Sequence, residues 1–226
     1  MKKKRSVVIV AGGTGSRMQS ETPKQFLDLL GKPVIIWTID KFRLFDPGIK
    51  VILVLPESHL IVWHGMKKKF PSTRKVIITT GGATRYHSVM KGLEHVDPDE
   101  LVGVHDAVRP LVSVETLRRC YGEAEKNGSA IPVVEAEDSL RTVDGPGSTI
   151  LDRDIVKRVQ TPQVFQAHKL LTAYENCLDQ NHTDDASVFE SYFGQINLVE
   201  GNTENIKITF PSDMKVAEAL LSENDQ

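Results

Sequence analysis

The run Val7-Val8-Ile9-Val10, followed at once by Ala11-Gly12-Gly13-Thr14-Gly15-Ser16-Arg17-Met18, limits the fold more than any other stretch of the chain. A short β-branched apolar run reads as a buried strand. Gly12, Gly13 and Gly15 then place a turn directly after it. Glycines in such a turn let backbone N–H groups come close to an anion and permit positive φ without a Cβ clash. Arg17, and Lys24 in the following Pro23-Lys24-Gln25-Phe26, add fixed positive charge beside the turn. A strand, a glycine turn and two cations so close together point to a site for a nucleoside triphosphate.

Two familiar phosphate-binding templates do not fit. The pattern G-x-x-x-x-G-K-S/T is absent. The dinucleotide pattern G-x-G-x-x-G begins at Gly13-Thr14-Gly15 but meets Met18 where its third glycine belongs. That glycine permits close helix–strand packing in dinucleotide folds, so its loss counts against a nicotinamide or flavin oxidoreductase. A purely structural strand-to-helix turn is the plain alternative, and the two cations weigh against it.

The rest of the chain repeats the strand–helix rhythm. Val34–Phe42 carries a helical apolar stripe; Ile49–Leu55, Val76–Thr80, Leu101–Asp106 and Ser129–Val134 read as strands; Glu115–Lys126 reads as a helix. This order predicts an α/β, Rossmann-like, mostly parallel but mixed sheet flanked by helices. Its ligand crevice lies at the carboxyl ends of the strands, where both 12–17 and 105–109 fall. Residues 138–152 depart from the rhythm. Two extended stretches flank Asp144-Gly145-Pro146-Gly147, a strong turn signal, so a β-hairpin arm is expected over about 137–155. An isolated hairpin is marginal, so it either folds back on its own domain or grips a second subunit.

At 226 residues the chain fits one domain, 1–226, with a sizeable core. The formal charge of −2 gives no support for a nucleic-acid partner, and Lys2-Lys3-Lys4-Arg5 reads as a solvated terminus. Cys120 and Cys177 lack metal-ligand or disulfide-framework spacing and are expected reduced in helices. No signal peptide or membrane span is visible, so a cytoplasmic location is expected.

Several polar groups can carry chemistry. Gly81-Gly82-Ala83-Thr84-Arg85-Tyr86-His87-Ser88-Val89 is a second glycine turn opening a helix. Its N–H groups and the Ser88 hydroxyl suit contacts to a base or ribose; a plain N-cap is the alternative. In His105-Asp106-Ala107-Val108-Arg109-Pro110 a carboxylate and a guanidinium lie three residues apart at a strand end. They form a surface ion pair, or they serve a metal–phosphate and a substrate phosphate. Lys207 sits in the strand-like Asn205-Ile206-Lys207-Ile208-Thr209, either facing solvent or inward toward an anion. His182 has no companion ligands at metal spacing. No nucleophile–histidine–acid arrangement and no paired-glutamate pattern is visible. Cations, backbone donors and isolated carboxylates suit phosphoryl or nucleotidyl transfer.

Taken in order, these blocks resemble the 2-C-methyl-D-erythritol 4-phosphate cytidylyltransferases, a family of sugar-phosphate nucleotidyltransferases in non-mevalonate isoprenoid biosynthesis. The similarity runs from the first strand to Ala219. It rests on the two glycine turns, Pro23-Lys24-Gln25, the 105–110 block, Thr161-Pro162-Gln163, Thr183-Asp184-Asp185-Ala186-Ser187 and the 205–209 block. It implies that CTP and methylerythritol phosphate yield 4-CDP-2-C-methyl-D-erythritol and pyrophosphate. Arg17 and Lys24 match the positions that neutralise charge on the triphosphate in the transition state. Ala11, Gly12, Gly13, Gly15, Gly82 and Ser88 match nucleotide contacts, and Asp106 falls where nucleotide and acceptor meet. Arg109, Ser139, Arg153, Thr161, Thr183 and Lys207 match the acceptor side. The resemblance further implies Mg²⁺ or another divalent cation carried mainly by CTP phosphates near Asp106. It also implies a homodimer interlocked through the arm, with Arg153 serving the partner's site.

Ser139 stands where the family often has threonine, and Gly12 where alanine is common. Ala-Gly-Gly also occurs in the D-ribitol-5-phosphate cytidylyltransferases, which share most blocks; Thr183–Ser187 looks closer to the methylerythritol enzymes. A catalytically silent nucleotide-binding domain is a further alternative, weakened by the presence of Arg17, Lys24, Asp106, Arg109 and Lys207 together.

Overall fold

A computed structural model describes residues 3–13, 18, 20 and 22–223. The elements begin with β1 (Arg5–Val10), the short β2 (Asp28–Leu29) and β3 (Lys32–Pro33), α1 (Val34–Phe45), β4 (Lys50–Leu55) and α2 (Leu60–Met66). They continue with β5 (Ile77–Thr80), α3 (Arg85–Leu93), β6 (Leu101–Asp106), α4 (Val114–Asn127) and β7 (Ser129–Glu135). The hairpin β8 (Leu140–Asp144) and β9 (Gly147–Leu151) follows, then β10 (Lys157–Val159), β11 (Gln163–Gln166), α5 (Ala167–Glu175), α6 (Asp185–Phe193), β12 (Leu198–Glu200) and α7 (Pro211–Glu223).

The predicted α/β architecture is what forms. Strand β1 lies between β4 and β6, parallel to both, and β5 extends the sheet beyond β4. The sheet is mixed because β11 enters between β6 and β7 antiparallel to each. β10 and β11 pair with successive stretches of β7, at Val133–Glu135 and Ser129–Ala130. They are the return leg of the chain after the arm. β12 pairs parallel with Ile131–Val133.

The continuous apolar character of β1 follows from cover on both faces. Val7 and Ile9 pack with Ile35, Ile39, Phe42, Leu117 and Tyr121 from α1 and α4. Val8 points the other way, into Tyr86, Val89 and Leu93 of α3 and Leu170 of α5. Each such fully buried aliphatic side chain contributes about 1.5–3 kcal/mol. Helix α3 approaches so closely at Gly92 that any Cβ there would overlap the Val8 side chain. Caps end the helices as local chemistry requires. Ser113 accepts from Thr116 N at 3.0 Å to open α4, and Gly128 at φ 97° closes it.

Three expectations are corrected. The segment 205–209 forms no strand, although Ile208 N donates to Val108 O at 2.9 Å. One such tie is too few for a ladder. Cys177 lies beyond the end of α5, whereas Cys120 is buried in α4, where burial pushes its thiol up to about 12. Both are free. Neither Gly12 nor Gly13 adopts positive φ.

The hairpin forms where its turn signal lies, with Gly145 at φ 58°, as a two-stranded sheet separate from the main one. Val143, Ile150 and Ile155 on or beside it are 77%, 69% and 76% exposed. Among the described residues no helix is long and apolar enough to cross a membrane.

Candidate active site

The chain leaves β1 toward β4 on one side and later returns to β6 on the other, so the strand order reverses at β1. Such switch points open a crevice at the carboxyl ends of the strands. Here Ala11 N donates to Val54 O and Ala107 N to Val10 O, both at 3.0 Å, which fixes the turns against the strand ends. A cavity of about 610 Å³ results. Ala11, Gly12, Gly13, Lys24, Gly82, Ser88, Asp106 and Lys207 all line it. Residues separated by almost the whole chain thus share one chamber. Gly15 and Arg17 lie outside the described residues.

The glycines play unequal parts. A Cβ on Gly12 would meet nothing within 4 Å, and one on Gly13 only Lys24 Cε at 3.6 Å. Their value is open space beside the backbone, not an unusual φ. Gly82 is different, because a Cβ there would overlap His87. Its turn is braced by Ser88, whose Oγ accepts from Gly82 N at 3.1 Å and donates to Thr84 O at 2.9 Å. Thr84 in turn caps α3 by accepting from His87 N.

Lys24 is only 8% exposed. It opens a short turn, Lys24–Phe26, whose three residues are all buried, and its Nζ donates to Ile208 O at 3.0 Å. Gln25 anchors the same turn by donating to Ala11 O at 2.9 Å.

Asp106 is the electrostatic centre. Its Oδ2 lies 3.0 Å from Lys207 Nζ and 3.3 Å from Arg109 Nε. Burial alone would raise its pKa, but Lys207, Arg109 and Arg85 outweigh that and hold the carboxyl well below the usual carboxylate range. Burial lowers the Arg109 pKa, and Asp106 opposes the shift. The segment 205–209 delivers Lys207 to Asp106 while its carbonyls receive other cations. Arg109 Nη1 donates to Asn205 O at 2.7 Å, and Lys24 to Ile208 O.

The remaining predicted positions fall elsewhere. Thr161 does not line the cavity but is buried behind Asp106, with its Oγ1 accepting from Asp106 N at 3.2 Å. Ser139 and Arg153 lie on the arm, where they share a separate depression of about 380 Å³. Arg153 donates to Glu137 O at 2.9 Å. Thr183 is exposed, one residue before Asp184, which caps α6 by accepting from Ser187 N at 3.0 Å. The structure therefore brings Ala11, Gly12, Gly13, Lys24, Gly82, Ser88, Asp106 and Lys207 into one cavity; Arg109 reaches it only through Asp106, and Ser139, Arg153, Thr161 and Thr183 do not line it.

Arg85 and Asp185, each within a motif block, form a pair that their positions in the sequence do not announce. Arg85, on the cavity wall, binds Asp185 through both guanidinium ends, at 3.1 and 2.5 Å. Asp185 is fully buried, accepts Tyr174 O–H at 2.6 Å, and donates its own N–H to Gln163 Oε1 at 2.9 Å. Burial would lower the Arg85 pKa, yet Asp185 more than offsets this and raises it. The pair ties the glycine turn that opens α3 to the Thr183 turn at α6. The adjacent acids of Asp184-Asp185, one capping and one pairing, were the only local signal.

Comparison with known proteins agrees with this geometry. The family profile of 2-C-methyl-D-erythritol 4-phosphate cytidylyltransferase (IspD) matches residues 6–223. A protein of that name from Bacteroides thetaiotaomicron is 46% identical over 218 residues, spanning 96% of this chain and 100% of the relative. One from Bacteroides fragilis is 47% identical over 217 residues, spanning 96% and 99%. Among solved structures, the cytidylyltransferase of Thermus thermophilus superposes with a TM-score of 0.79 at 32% identity, covering 97% of this chain and 99% of that one. The 4-diphosphocytidyl-2C-methyl-D-erythritol synthase of Anaerococcus prevotii gives 0.83 at 29% identity, covering 97% and 96%. With its cavity at the switch point of a sheet shared with these enzymes, the chain belongs to the 2-C-methyl-D-erythritol 4-phosphate cytidylyltransferase family, and is a nucleotidyltransferase.

Proposed function

We propose that the cavity binds CTP along the turns after β1 and β5 and holds methylerythritol phosphate against Asp106, Arg109 and Lys207. One observation carries this reading. Lys24 and Lys207, from opposite ends of the chain, line the same chamber as both glycine turns. An oxygen of the acceptor phosphate attacks the α-phosphorus of CTP. The new P–O bond forms as the bond between that phosphorus and the α,β-bridging oxygen breaks, and pyrophosphate leaves. Lys24 faces the charge that grows on the triphosphate; Arg17 is assigned the same task from the resemblance alone. Backbone N–H groups of Gly12 and Gly13 approach the nucleotide, Ala11 lines the chamber with its own N–H held by Val54 O, and Gly82 and Ser88 shape the base side. Preorganised cations and N–H groups suit this chemistry, because positioning and charge neutralisation supply most of the rate.

A divalent cation, Mg²⁺ by preference, fits this donor set. Among the described residues no group of three or more His, Cys, Asp or Glu could hold a metal. Mg²⁺ is commonly held by substrate phosphates with one or two carboxylates, and Asp106 is the buried carboxylate at hand. When bound, the ion supplies charge neutralisation on the triphosphate.

The exposed apolar arm supports a homodimer in which Arg153 and Ser139 reach the partner's acceptor side. Two free cysteines support a reducing, cytoplasmic setting. The relatives' shared name supports the methylerythritol acceptor over ribitol 5-phosphate.

A pyrophosphate-release assay crossing each NTP with methylerythritol phosphate and ribitol 5-phosphate, with and without Mg²⁺, tests the reading. Turnover is expected with CTP, methylerythritol phosphate and Mg²⁺ together. Binding of CTP without turnover of either acceptor would overturn it, and preferential turnover of ribitol 5-phosphate would reassign the acceptor.

A further inference from the structure

His105 is fully buried between two groups whose hydrogen-bonding capacities decide its state. Its Nε2 lies 3.1 Å from Arg109 O, and a carbonyl can only accept, so Nε2 carries the proton. Its Nδ1 lies 2.9 Å from Thr161 Oγ1. In a neutral ring Nδ1 is then an acceptor, and the Thr161 hydroxyl donates to it. The same hydroxyl oxygen already accepts from Asp106 N. Thr161 thus has its only hydrogen committed to His105.

The contacts close into a ring. His105 donates to Arg109 O; Arg109 Nη1 donates to Asn205 O at 2.7 Å; Asn205 Nδ2 donates to Thr161 O at 2.9 Å; Thr161 donates back to His105. Asp106 and Lys207 are held beside this ring, one by its N–H and the other two residues along from Asn205. The imidazole is fully buried, which disfavours its charged form. Phe42 packs edge-on against it, with centroids 5.0 Å apart.

Building on the transferase reading above, we propose that His105 and Thr161 are a positioning pair that orients Asp106, Arg109 and Lys207 toward the acceptor phosphate. Thr161, matched to the acceptor side by resemblance, then acts through Asp106 and does not itself donate to the acceptor.

Two measurements on the full-length protein test this. Nitrogen-15 NMR of labelled histidines at pH 7 reads the tautomer directly. His105 is expected neutral with hydrogen on Nε2, and Thr161→Val is expected to shift its Nδ1 signal while the other six of the 7 histidines stay in place. Hydrogen on Nδ1, or an imidazolium, overturns the proposal. The second is a double-mutant cycle on kcat/KM for the acceptor. His105→Gln and Thr161→Val are each expected to lower it about 10- to 100-fold, as when a buried polar group loses its partner. The double variant is expected to match the worse single one, and Thr161→Ser to stay within a few-fold of the parent protein. Multiplying losses would mean that Thr161 serves the acceptor independently, against the proposal. Should the parent protein turn over no acceptor, the transferase reading fails by itself, while the NMR result still decides the pairing.

Discussion

Lys207 places its Nζ 3.0 Å from Oδ2 of Asp106, the same oxygen that Arg109 Nε reaches at 3.3 Å. Two cations sharing one carboxylate oxygen leave one positive charge unneutralised at the mouth of the cavity, a fit for a phosphate monoester. Lys207 is 47% exposed on its side chain and can swing toward such a ligand, while Asp106 is held at 13%. Lys207→Ala is expected to raise the acceptor KM about 10- to 100-fold, in line with the loss of a charge-assisted hydrogen bond. The KM for CTP should change little. Steady-state kinetics with each substrate varied in turn will tell; an effect confined to CTP would remove Lys207 from the acceptor side.

Lys24 lines the same cavity, and its charge is buried where developing negative charge is screened least. Lys24→Ala should lower kcat about 10²- to 10³-fold, the usual loss on removing a preorganised transition-state donor. Acceptor KM should move far less. The tie to Ile208 O also goes, at a cost of about 1 kcal/mol, so thermal unfolding of the variant separates lost chemistry from lost fold. An unchanged kcat would take Lys24 out of the mechanism.

The Arg85–Asp185 pair makes an asymmetric prediction. Asp185 is fully buried, whereas the Arg85 side chain is 30% exposed and can rehydrate. Arg85→Gln strands a buried carboxylate and should cost about 3 kcal/mol of stability. Asp185→Asn should cost less, about 1–2 kcal/mol, because the freed guanidinium meets water. Urea unfolding of both variants orders the two costs, and the reverse order would contradict the burial.

His105 links pH to stability. Its folded pKa, about 4, lies below the ordinary 6.5. Between those values the unfolded chain binds a proton that the folded chain refuses, so this contribution is present above pH 6.5 and is lost as pH falls toward 4. From pH 7 to pH 5 the loss amounts to about 2 kcal/mol. Asp106, depressed from 3.8, adds its own loss only at lower pH. Chemical denaturation at pH 7 and pH 5 should show a smaller drop in His105→Gln than in the parent; equal drops would refute the assignment.

The arm can be tested by mixing. If Arg153 serves the partner's site, Arg153→Ala and Lys24→Ala proteins, each nearly inactive, should regain about a quarter of full activity when randomly paired in a symmetric dimer. No recovery on co-folding would place Arg153 in its own subunit's site. Val143→Asp, on an exposed apolar position of the hairpin, should shift sedimentation toward monomer.

Much of this protein was determined locally. The apolar run 7–10, the turn chemistry at Gly145 and the caps at Thr84, Ser113 and Asp184 act over a few residues, so their strands, hairpin and helix starts can be read from neighbouring side chains alone. Tertiary structure alone decided that β11 runs antiparallel between β6 and β7, that Lys207 meets Asp106, that Arg85 finds Asp185, and that Thr161 faces His105 instead of the cavity. It also showed that Gly12 and Gly13 provide room and not an unusual φ. The reason is physical: those contacts join residues far apart in the chain, and the packing of helices on both faces of the sheet brings them together, leaving little local trace in either partner.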